Sequence, residues 1–184
     1  KLNEHKVKQT WLYSGGAIMS LVDCFHNNNN NHKHNHIKYY INTHEQSGGH
    51  AATGYAKTTG KPGVLITTSG PGLTNAITAM QDATSDSTPL IVLTGQVPIK
   101  AMGTNAFQEA PAVQITRPFT KWSYCVKDVN EIPAVIDKAF HISMDGKPGA
   151  VHIDLPKCIS NEKILNLTLN EVEIKKKEDY INND

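Results

Sequence analysis

The stretch VLITTSGPGLTNAITAM, residues 64–80, decides the fold because its hydrophobic period changes within a few residues. It opens with an apolar, β-rich run at 64–68, and a Gly-Pro-Gly turn interrupts that run at 70–72. Apolar side chains then recur at the i, i+3, i+4, i+7 spacing of an amphipathic helix. These positions are Leu73, Ala76, Ile77 and Met80. The stretch therefore predicts a buried strand, a turn and a helix.

Outward from this unit, the same alternation of strand and helix patterns continues along the chain. Further apolar runs lie at 37–41, 90–94, 122–126 and 151–155, and a second helical spacing occupies 132–140. Strands that alternate with helices indicate a parallel α/β sheet. The runs are continuous rather than alternating, which is typical of strands buried on both faces. We predict a three-layer, doubly wound, mostly parallel sheet with helices on both faces.

Composition limits the function classes. The chain has 184 residues with 39% hydrophobic and 19% charged residues, enough for one domain with a substantial core. A formal net charge of +1 favours neither a nucleic-acid partner nor a membrane surface. No apolar run reaches the roughly 18–20 residues of a membrane-spanning helix. Cys24, Cys125 and Cys158 are far apart in sequence, which argues against a zinc or redox motif and weakly favours a reduced compartment.

The domain is expected to span residues 1–160, with 161–184 as a polar linker or tail. The segment NNNNNHKHNH, residues 27–36, is predicted to be a solvated, mobile loop because it has no apolar surface to bury. Its histidines could bind a metal, but nothing nearby would fix their geometry, so we predict a tolerated insertion and no metal site. The chain begins with lysine rather than methionine, so we expect it to be processed, trimmed or cut from something longer.

Polar and glycine-rich segments follow three of the predicted strands. They occupy residues 42–45, 68–72 and 95–98. The carboxyl ends of parallel strands share one edge of the sheet, where α/β proteins bind ligands. The segment TSGPG at 68–72 matches neither the P-loop, the dinucleotide fingerprint nor the nucleophile elbow. A ligand could approach its backbone closely, or the segment could be a simple turn.

A lone carboxylate, Glu45, ends the first of these segments and is followed by the small residues of SGGHAA, 47–52. An acid at the start of a helix complements the helix dipole, which is one sufficient reason for its position. Small neighbours suggest a second reason, because they let a ligand or another chain approach the acid closely. The residues alone leave both interpretations open.

Taken together, these segments resemble the N-terminal pyrimidine-binding domain of the thiamine-diphosphate enzymes. Within that group they resemble the catalytic large subunit of acetolactate synthase (acetohydroxyacid synthase). The resemblance runs from about Tyr13 to Lys157, and AFQE at 106–109 is its most specific motif. The other matching motifs are YSGGA 13–17, HEQ 44–46, TSGPG 68–72, TGQVP 94–98, TKW 120–122, GKPG 146–149 and DLPK 154–157.

The resemblance implies a role for each site residue. Glu45 would hydrogen-bond N1′ of the cofactor's aminopyrimidine and relay a proton there, with Gln108 as a second catalytic residue. The other cofactor-binding residues would be Gly15, Gly16, Ala17, Ser69, Gly70, Pro71, Gly72 and Asn75. The substrate channel would be bordered by Pro98, Ala106, Phe107, Gln108 and Lys157. Lys147 stands where an arginine usually contacts a structural FAD, and it lacks the bidentate fork of arginine.

The resemblance also implies partners that this chain does not contain. Mg²⁺ would bind the diphosphate through a Gly-Asp-Gly…Asn-Asn motif of a later domain, and no such motif occurs here. The expected protein is the first domain of a longer flavoprotein, inactive by itself, that forms a homodimer or tetramer with shared sites. A regulatory subunit is possible in this group, and 2-keto acids would be the substrates. The compartment would be mitochondrial or plastid in a eukaryote and cytoplasmic in a bacterium.

Two alternatives stay open from the sequence. A sister thiamine-diphosphate enzyme, such as a pyruvate oxidase or another carboligase, would share the fold and differ in its second step. A stand-alone, non-catalytic domain would explain the missing metal motif. The motif AFQE, 106–109, argues against the first alternative.

Overall fold

The computed structural model describes residues 1–30 and 37–162. Its core in those residues is one six-stranded sheet with the order β2-β1-β3-β4-β6-β5. The strands are β1 (Gln9–Leu12), β2 (Lys38–Ile41), β3 (Gly63–Thr67), β4 (Leu90–Gln96), β5 (Trp122–Cys125) and β6 (Ala150–Pro156). Every neighbouring pair is parallel, so the predicted α/β class is confirmed.

Helices connect the strands. They are α1 (Met19–Asn30), α2 (Glu45–Thr59), α3 (Pro71–Thr74), α4 (Ile77–Ser85), α5 (Ala112–Thr116), α6 (Ile132–Met144) and α7 (Lys157–Ser160). Short 3₁₀ turns occupy Ile99–Ala101, Arg117–Phe119 and Val129–Glu131. No helix in the described ranges is long and apolar enough to cross a membrane.

The sheet has a separate hydrophobic core on each face, because successive strand residues point to opposite sides. In β3, Val64 and Ile66 face a cluster that also contains side chains of α1 and α6. Leu65 faces the opposite cluster with side chains of α2 and α4. All five residues of β3 and all seven of β4 are buried. The predicted three-layer arrangement follows from this alternation.

The strand order reverses direction between β1 and β3. From β1 the chain crosses to β2 on one side, and it then returns to place β3 on the other side of β1. Two crossovers that leave in opposite directions open a crevice at the carboxyl ends of β1 and β3. Residues after Leu12 and after Thr67 therefore border this crevice.

The five predicted strands are present with ends shifted by at most two residues, and Glu45 begins a helix as expected. Strand β1 was missed because QTWL is short and half polar, although Thr10, Trp11 and Leu12 are buried. Helix α1 extends to Asn30, four residues into the predicted loop 27–36, because helical hydrogen bonds propagate once a helix has formed. Residues 31–36, with all three histidines of that segment, and 163–184 of the predicted tail lie outside the described part.

Candidate functional site

Glu45 is fixed by the turn between β2 and α2. His44 is the N-cap of α2, and its Nδ1 accepts a hydrogen bond from the backbone N–H of Gln46 at 3.1 Å. Glu45 is then the first helical residue, with its side chain only 6% exposed. An ionisable side chain is rarely buried to this extent without a partner. The helix-dipole interpretation alone does not explain this burial.

The partner of Glu45 is Asn75, which comes from the far side of the crevice. The Asn75 side-chain amide donates to Glu45 Oε2 at 2.9 Å. The second oxygen, Oε1, accepts no hydrogen bond from a residue in the described ranges, and it faces Gly72, where an added Cβ would lie 3.5 Å away. One carboxylate oxygen is thus held by the protein, and the other is directed at a glycine surface.

Glycines line the crevice beside Glu45. A Cβ on Gly15, just after β1, would lie 2.4 Å from Thr68 Cβ, and a Cβ on Gly72 would lie 2.9 Å from Thr68 Cγ2. Neither position could hold a side chain without moving the loop after β3. The structure therefore brings Gly15 and the 68–72 loop together. Gly16 is exposed with nothing within 4 Å of an added Cβ, and Ala17 is half-buried beside Gly95.

A buried hydroxyl in this crevice lacks a partner. Thr68 is 6% exposed, and its Oγ1 has no hydrogen-bond partner within the described part of the chain. A buried polar atom without a partner is costly, so native proteins usually satisfy it with water or a ligand. An orphan hydroxyl, a half-free carboxylate and glycine walls fit a flat ligand that carries ring nitrogens and an amine. An aminopyrimidine has these properties.

The loop of residues 98–109, between β4 and α5, packs against the same crevice. A Cβ on Gly70 would lie 2.5 Å from the backbone oxygen of Gln108. Asn105 and Gln108 both have φ values of +58°, which is unusual for residues other than glycine. Phe107 between them is 88% exposed. The Gln108 backbone is thereby placed at the crevice, while the Phe107 side chain projects into solvent.

Loop 98–109 is held internally by Glu109. Its carboxylate accepts backbone hydrogen bonds from Gly103 and Ala106, the latter at 3.1 Å. These backbone donors, Gly103 above all, lower the pKa of Glu109 from its ordinary value. The charged carboxylate of Glu109, the last residue of the loop, therefore compensates for part of the loop's strained backbone.

Of the other predicted residues, the structure gathers most at the carboxyl edge. Ser69 is buried in the 68–72 loop, where Pro71 is exposed. Pro98 and Lys157 are exposed at the ends of β4 and β6, and their segments meet where the backbone N–H of Ile99 contacts Cys158 Sγ at 3.5 Å. Ala106 is half-buried in loop 98–109. Lys147 differs, because it precedes β6 and so lies at the opposite, amino edge of the sheet.

A buried polar network crosses β4, β6 and β5, and the sequence interpretation did not assign it a role. Thr94 donates to Asp154 Oδ1 at 2.7 Å and contacts His152 Nε2 at 2.8 Å. His152 Nδ1 lies 2.8 Å from Ser123 Oγ and 3.0 Å from Thr116 Oγ1. Because the single Thr94 proton goes to Asp154, the network assigns the His152 proton to Nε2. The sequence did contain a signal for this network: polar residues stand two positions apart in otherwise apolar strands, Thr94 and Gln96 in β4 and His152 and Asp154 in β6.

Burial controls the titration of this network. It lowers the pKa of His152 to about 3, so the imidazole is neutral. It raises the pKa of Asp154 to about 6, against the opposing effect of hydrogen bonds from Thr94, Gln96 and Cys125. Burial and the neighbouring Asp154 raise the pKa of Cys125 to about 12, so this thiol is a weak nucleophile.

No group of three metal-ligating side chains occurs in the described ranges, and all three cysteines are free. Within this part of the chain, the crevice between β1 and β3 is where Glu45, Asn75 and the orphan Thr68 hydroxyl meet.

The fold and site define a class: a parallel α/β domain that holds a buried carboxylate in a glycine-lined crevice at its topological switch point. The family model described as "Thiamine pyrophosphate enzyme, N-terminal TPP binding domain" matches residues 1–115, which is more than half of the chain. The chain belongs to this family, and the resemblance inferred from the motifs is confirmed.

Among curated proteins, the chain is similar to acetolactate synthase subunits. The chain is 46% identical over 159 residues to the mitochondrial acetolactate synthase catalytic subunit of Saccharomyces cerevisiae, covering 86% of this chain and 22% of that protein. It is 47% identical over 154 residues to the corresponding protein of Aspergillus candidus, covering 84% and 21%. The acetolactate synthase large subunit of Lactococcus lactis is 44% identical over 163 residues, covering 89% and 27%. The chain thus spans about a fifth to a quarter of these relatives.

Proposed function

We propose that this chain is the N-terminal, pyrimidine-binding domain of a thiamine-diphosphate-dependent acetolactate synthase. The whole enzyme would condense two pyruvates, or pyruvate and 2-ketobutyrate, with loss of carbon dioxide. This reaction would serve the biosynthesis of valine, leucine and isoleucine. The observation that carries the proposal is the buried Glu45 carboxylate, with one oxygen held by Asn75 and the other directed at the glycine-lined crevice.

The residues of the crevice have distinct tasks in this proposal. Thiamine diphosphate, when bound, supplies the electron sink that decarboxylation of a 2-keto acid requires. Glu45 holds and moves a proton at N1′ of the aminopyrimidine, and Asn75 fixes the orientation of the carboxylate. Thr68 offers its unpaired hydroxyl to the ring, and Gly15 and Gly72 let the Thr68 side chain pack closely beside the crevice.

Loop 98–109 would form one wall of the substrate channel. Phe107 and Gln108 lie on it, Ala106 is half-buried in it, and Pro98 begins it. Lys157 stands at the end of β6 and would present a cation to the carboxylate of the 2-keto acid. A largely exposed Phe107 is more consistent with a wall completed by another domain or subunit than with a finished pocket.

The remaining cofactors and partners are also proposals. Mg²⁺ would be held outside these 184 residues, and the active site would be shared across a homodimer or tetramer. FAD would be a structural cofactor near Lys147, which is exposed and makes no ion pair within the described ranges. Because Lys147 lies at the amino edge of the sheet, this contact would be separate from the crevice.

A product assay tests the proposed reaction. The complete protein, supplied with thiamine diphosphate, Mg²⁺, FAD and pyruvate, should form acetolactate and release carbon dioxide. Acetate as the main product would instead support a pyruvate oxidase. Tight thiamine-diphosphate binding without turnover of any 2-keto acid would contradict the proposed enzyme while leaving the family unchanged.

A further inference from the structure

The two ends of loop 98–109 are joined by one side chain, Gln96, the last residue of β4. Its Oε1 accepts a hydrogen bond from the backbone N–H of Val97 at 2.8 Å, just before the loop. Its Nε2 donates to the backbone oxygen of Ala110 at 3.0 Å, just after the loop. Gln96 is 4% exposed. A buried amide therefore closes the base of the loop.

The second hydrogen of the Gln96 amide is held by Asp154. The distance from Gln96 Nε2 to Asp154 Oδ2 is 2.9 Å, and Asp154 is 1% exposed. Asp154 Oδ1 is itself fixed by Thr94, its register partner across the β4–β6 ladder. The carboxylate thus belongs to the rigid centre of the sheet, and it orients Gln96 toward the loop.

Loop 98–109 has a conformation that needs such support. Asn105 and Gln108 adopt positive φ values of +58°, a backbone conformation that is unfavourable for residues other than glycine. Strand β4 ends at Gln96, so the hydrogen bonds of the sheet stop before the loop begins. Where the loop approaches the crevice, the Gln108 backbone oxygen faces Gly70. A small loosening at the base would move Gln108 away from that contact.

We propose that Gln96 and Asp154 are positioning residues that clamp loop 98–109 and so set the place of Phe107 and Gln108 in the substrate channel. The role in the substrate channel rests on the proposed function, whereas the clamp itself rests on the observed hydrogen bonds. The hydrogen-bond partners of both side chains lie in the sheet and at the base of the loop, so both act through the loop. The Asp154 carboxylate accepts a charge-assisted hydrogen bond from the Gln96 amide, which is stronger than a bond between neutral groups.

Protonation of Asp154 should weaken the clamp. The titratable groups nearest to it are His152 in its own strand and Cys125 in β5, with Lys127 and Glu131 beyond Cys125. His152 and Cys125 are neutral near pH 7. Below about pH 6 the Asp154 carboxyl carries a proton, and its bond to the Gln96 amide loses its charge.

Hydrogen exchange of the complete protein tests the clamp without any turnover. Gln96→Met keeps the side-chain length but removes both amide donors, so amides of residues 98–110 should exchange roughly tenfold faster. Ser123→Ala is the matched control, because it removes a hydrogen bond to His152 in the same network and does not touch the loop. Equal exchange of this segment in the two variants would overturn the proposal.

The pH dependence separates positioning from simple stabilisation. In the wild type, corrected protection of residues 98–110 should rise several-fold between pH 5.5 and pH 7.5. In Asp154→Asn, which is neutral at every pH, protection should not change over this range. A wild-type profile without this rise, or the same rise in Asp154→Asn, would reject the role of the Asp154 charge.

Kinetics then connect the clamp with the channel. If the complete protein forms acetolactate, Gln96→Met should raise KM for pyruvate roughly tenfold, since it loosens a wall of the substrate channel. Unchanged KM together with accelerated exchange would reject the channel role. If the wild-type protein forms no acetolactate, the proposed function is contradicted. The hydrogen-exchange experiment would still show whether Gln96 and Asp154 clamp the loop.

Discussion

At the scale of single residues, Glu45 acquires its chemistry from its neighbours. The sequence predicted that it begins a helix, and this prediction is confirmed. The sequence could not predict that Asn75 binds one of its oxygens, because the two residues lie 30 positions apart and meet only across the crevice. The sequence also could not predict that the Thr68 hydroxyl is buried without a partner, since its environment depends on how Gly15 packs against it.

A methyl group on Gly15 should disturb the crevice directly. In Gly15→Ala, the new Cβ would lie 2.4 Å from Thr68 Cβ and Oγ1, so the domain should lose about 1–3 kcal/mol of stability through overpacking. Thiamine-diphosphate affinity should fall with it. Chemical denaturation and cofactor titration of the complete protein measure the two effects.

The adjacent glycine supplies the control for that variant. An added Cβ on Gly16 meets nothing within 4 Å, so Gly16→Ala should change the stability by less than about 0.5 kcal/mol. Equal destabilisation by the two substitutions would show that backbone freedom, and not contact with Thr68, explains the glycine pair.

At the scale of elements, helix α2 shows why its sequence is rich in glycine. Gly49 faces α4, where an added Cβ would lie 2.4 Å from Ala79 Cβ, whereas Gly54 is exposed with open space around it. One glycine permits close helix packing, and the other only weakens the helix. The sequence showed the small residues but could not distinguish these two roles.

Two alanine substitutions in α2 should therefore have opposite effects. Gly54→Ala should stabilise the domain by about 0.5–1 kcal/mol because glycine in an exposed helix interior is unfavourable. Gly49→Ala should destabilise it by about 1–3 kcal/mol because α2 and α4 must separate. Denaturant titrations of the two variants provide the test, and a shared sign would contradict this packing of α2.

Loop 98–109 is the second element whose position depends on a glycine. Gly70→Ala would strain a residue with φ of +55° and also push against the Gln108 backbone oxygen. Gly60→Ala strains a residue with φ of +68° in open space. We expect Gly70→Ala to cost about 1–3 kcal/mol more than Gly60→Ala and to accelerate hydrogen exchange in the loop. Equal losses of stability in the two variants would contradict the contact between Gly70 and the Gln108 backbone oxygen.

At the scale of the whole molecule, the sequence predicted the parallel α/β class and most strands because long apolar runs report burial on both faces. It missed β1, whose four residues are too few for a pattern, and therefore the switch point that β1 creates. It also missed the His152–Asp154 network, because the register of β4, β5 and β6 brings those residues together only in three dimensions.

The buried network makes stability depend on pH in two opposing ways. Asp154 has a raised pKa of about 6, so its favourable contribution is present below about pH 4 and lost as pH rises through 6. His152 has a lowered pKa of about 3, so its contribution is present above about pH 6.5 and lost as pH falls toward 3. Around pH 5 the two trends partly cancel.

Asp154→Asn should remove only the first trend. Relative to the wild type, the variant should gain about 3 kcal/mol of stability between pH 4 and pH 7, since it has no buried charge to ionise. The exposed Asp86, whose pKa is lowered by Lys57, is the control: Asp86→Asn should shift in the opposite direction. Denaturation across this pH range would contradict the account if both variants moved alike.

The central claim concerns Glu45, and the most direct measurement is the rate of acetolactate formation by the Glu45→Gln variant of the complete protein. With thiamine diphosphate, Mg²⁺ and pyruvate, the variant should lose at least about 100-fold in rate, because glutamine cannot hold or move the proton. Glu162→Gln, an exposed carboxylate beyond α7, should retain the wild-type rate. A near-normal rate in Glu45→Gln would contradict the account.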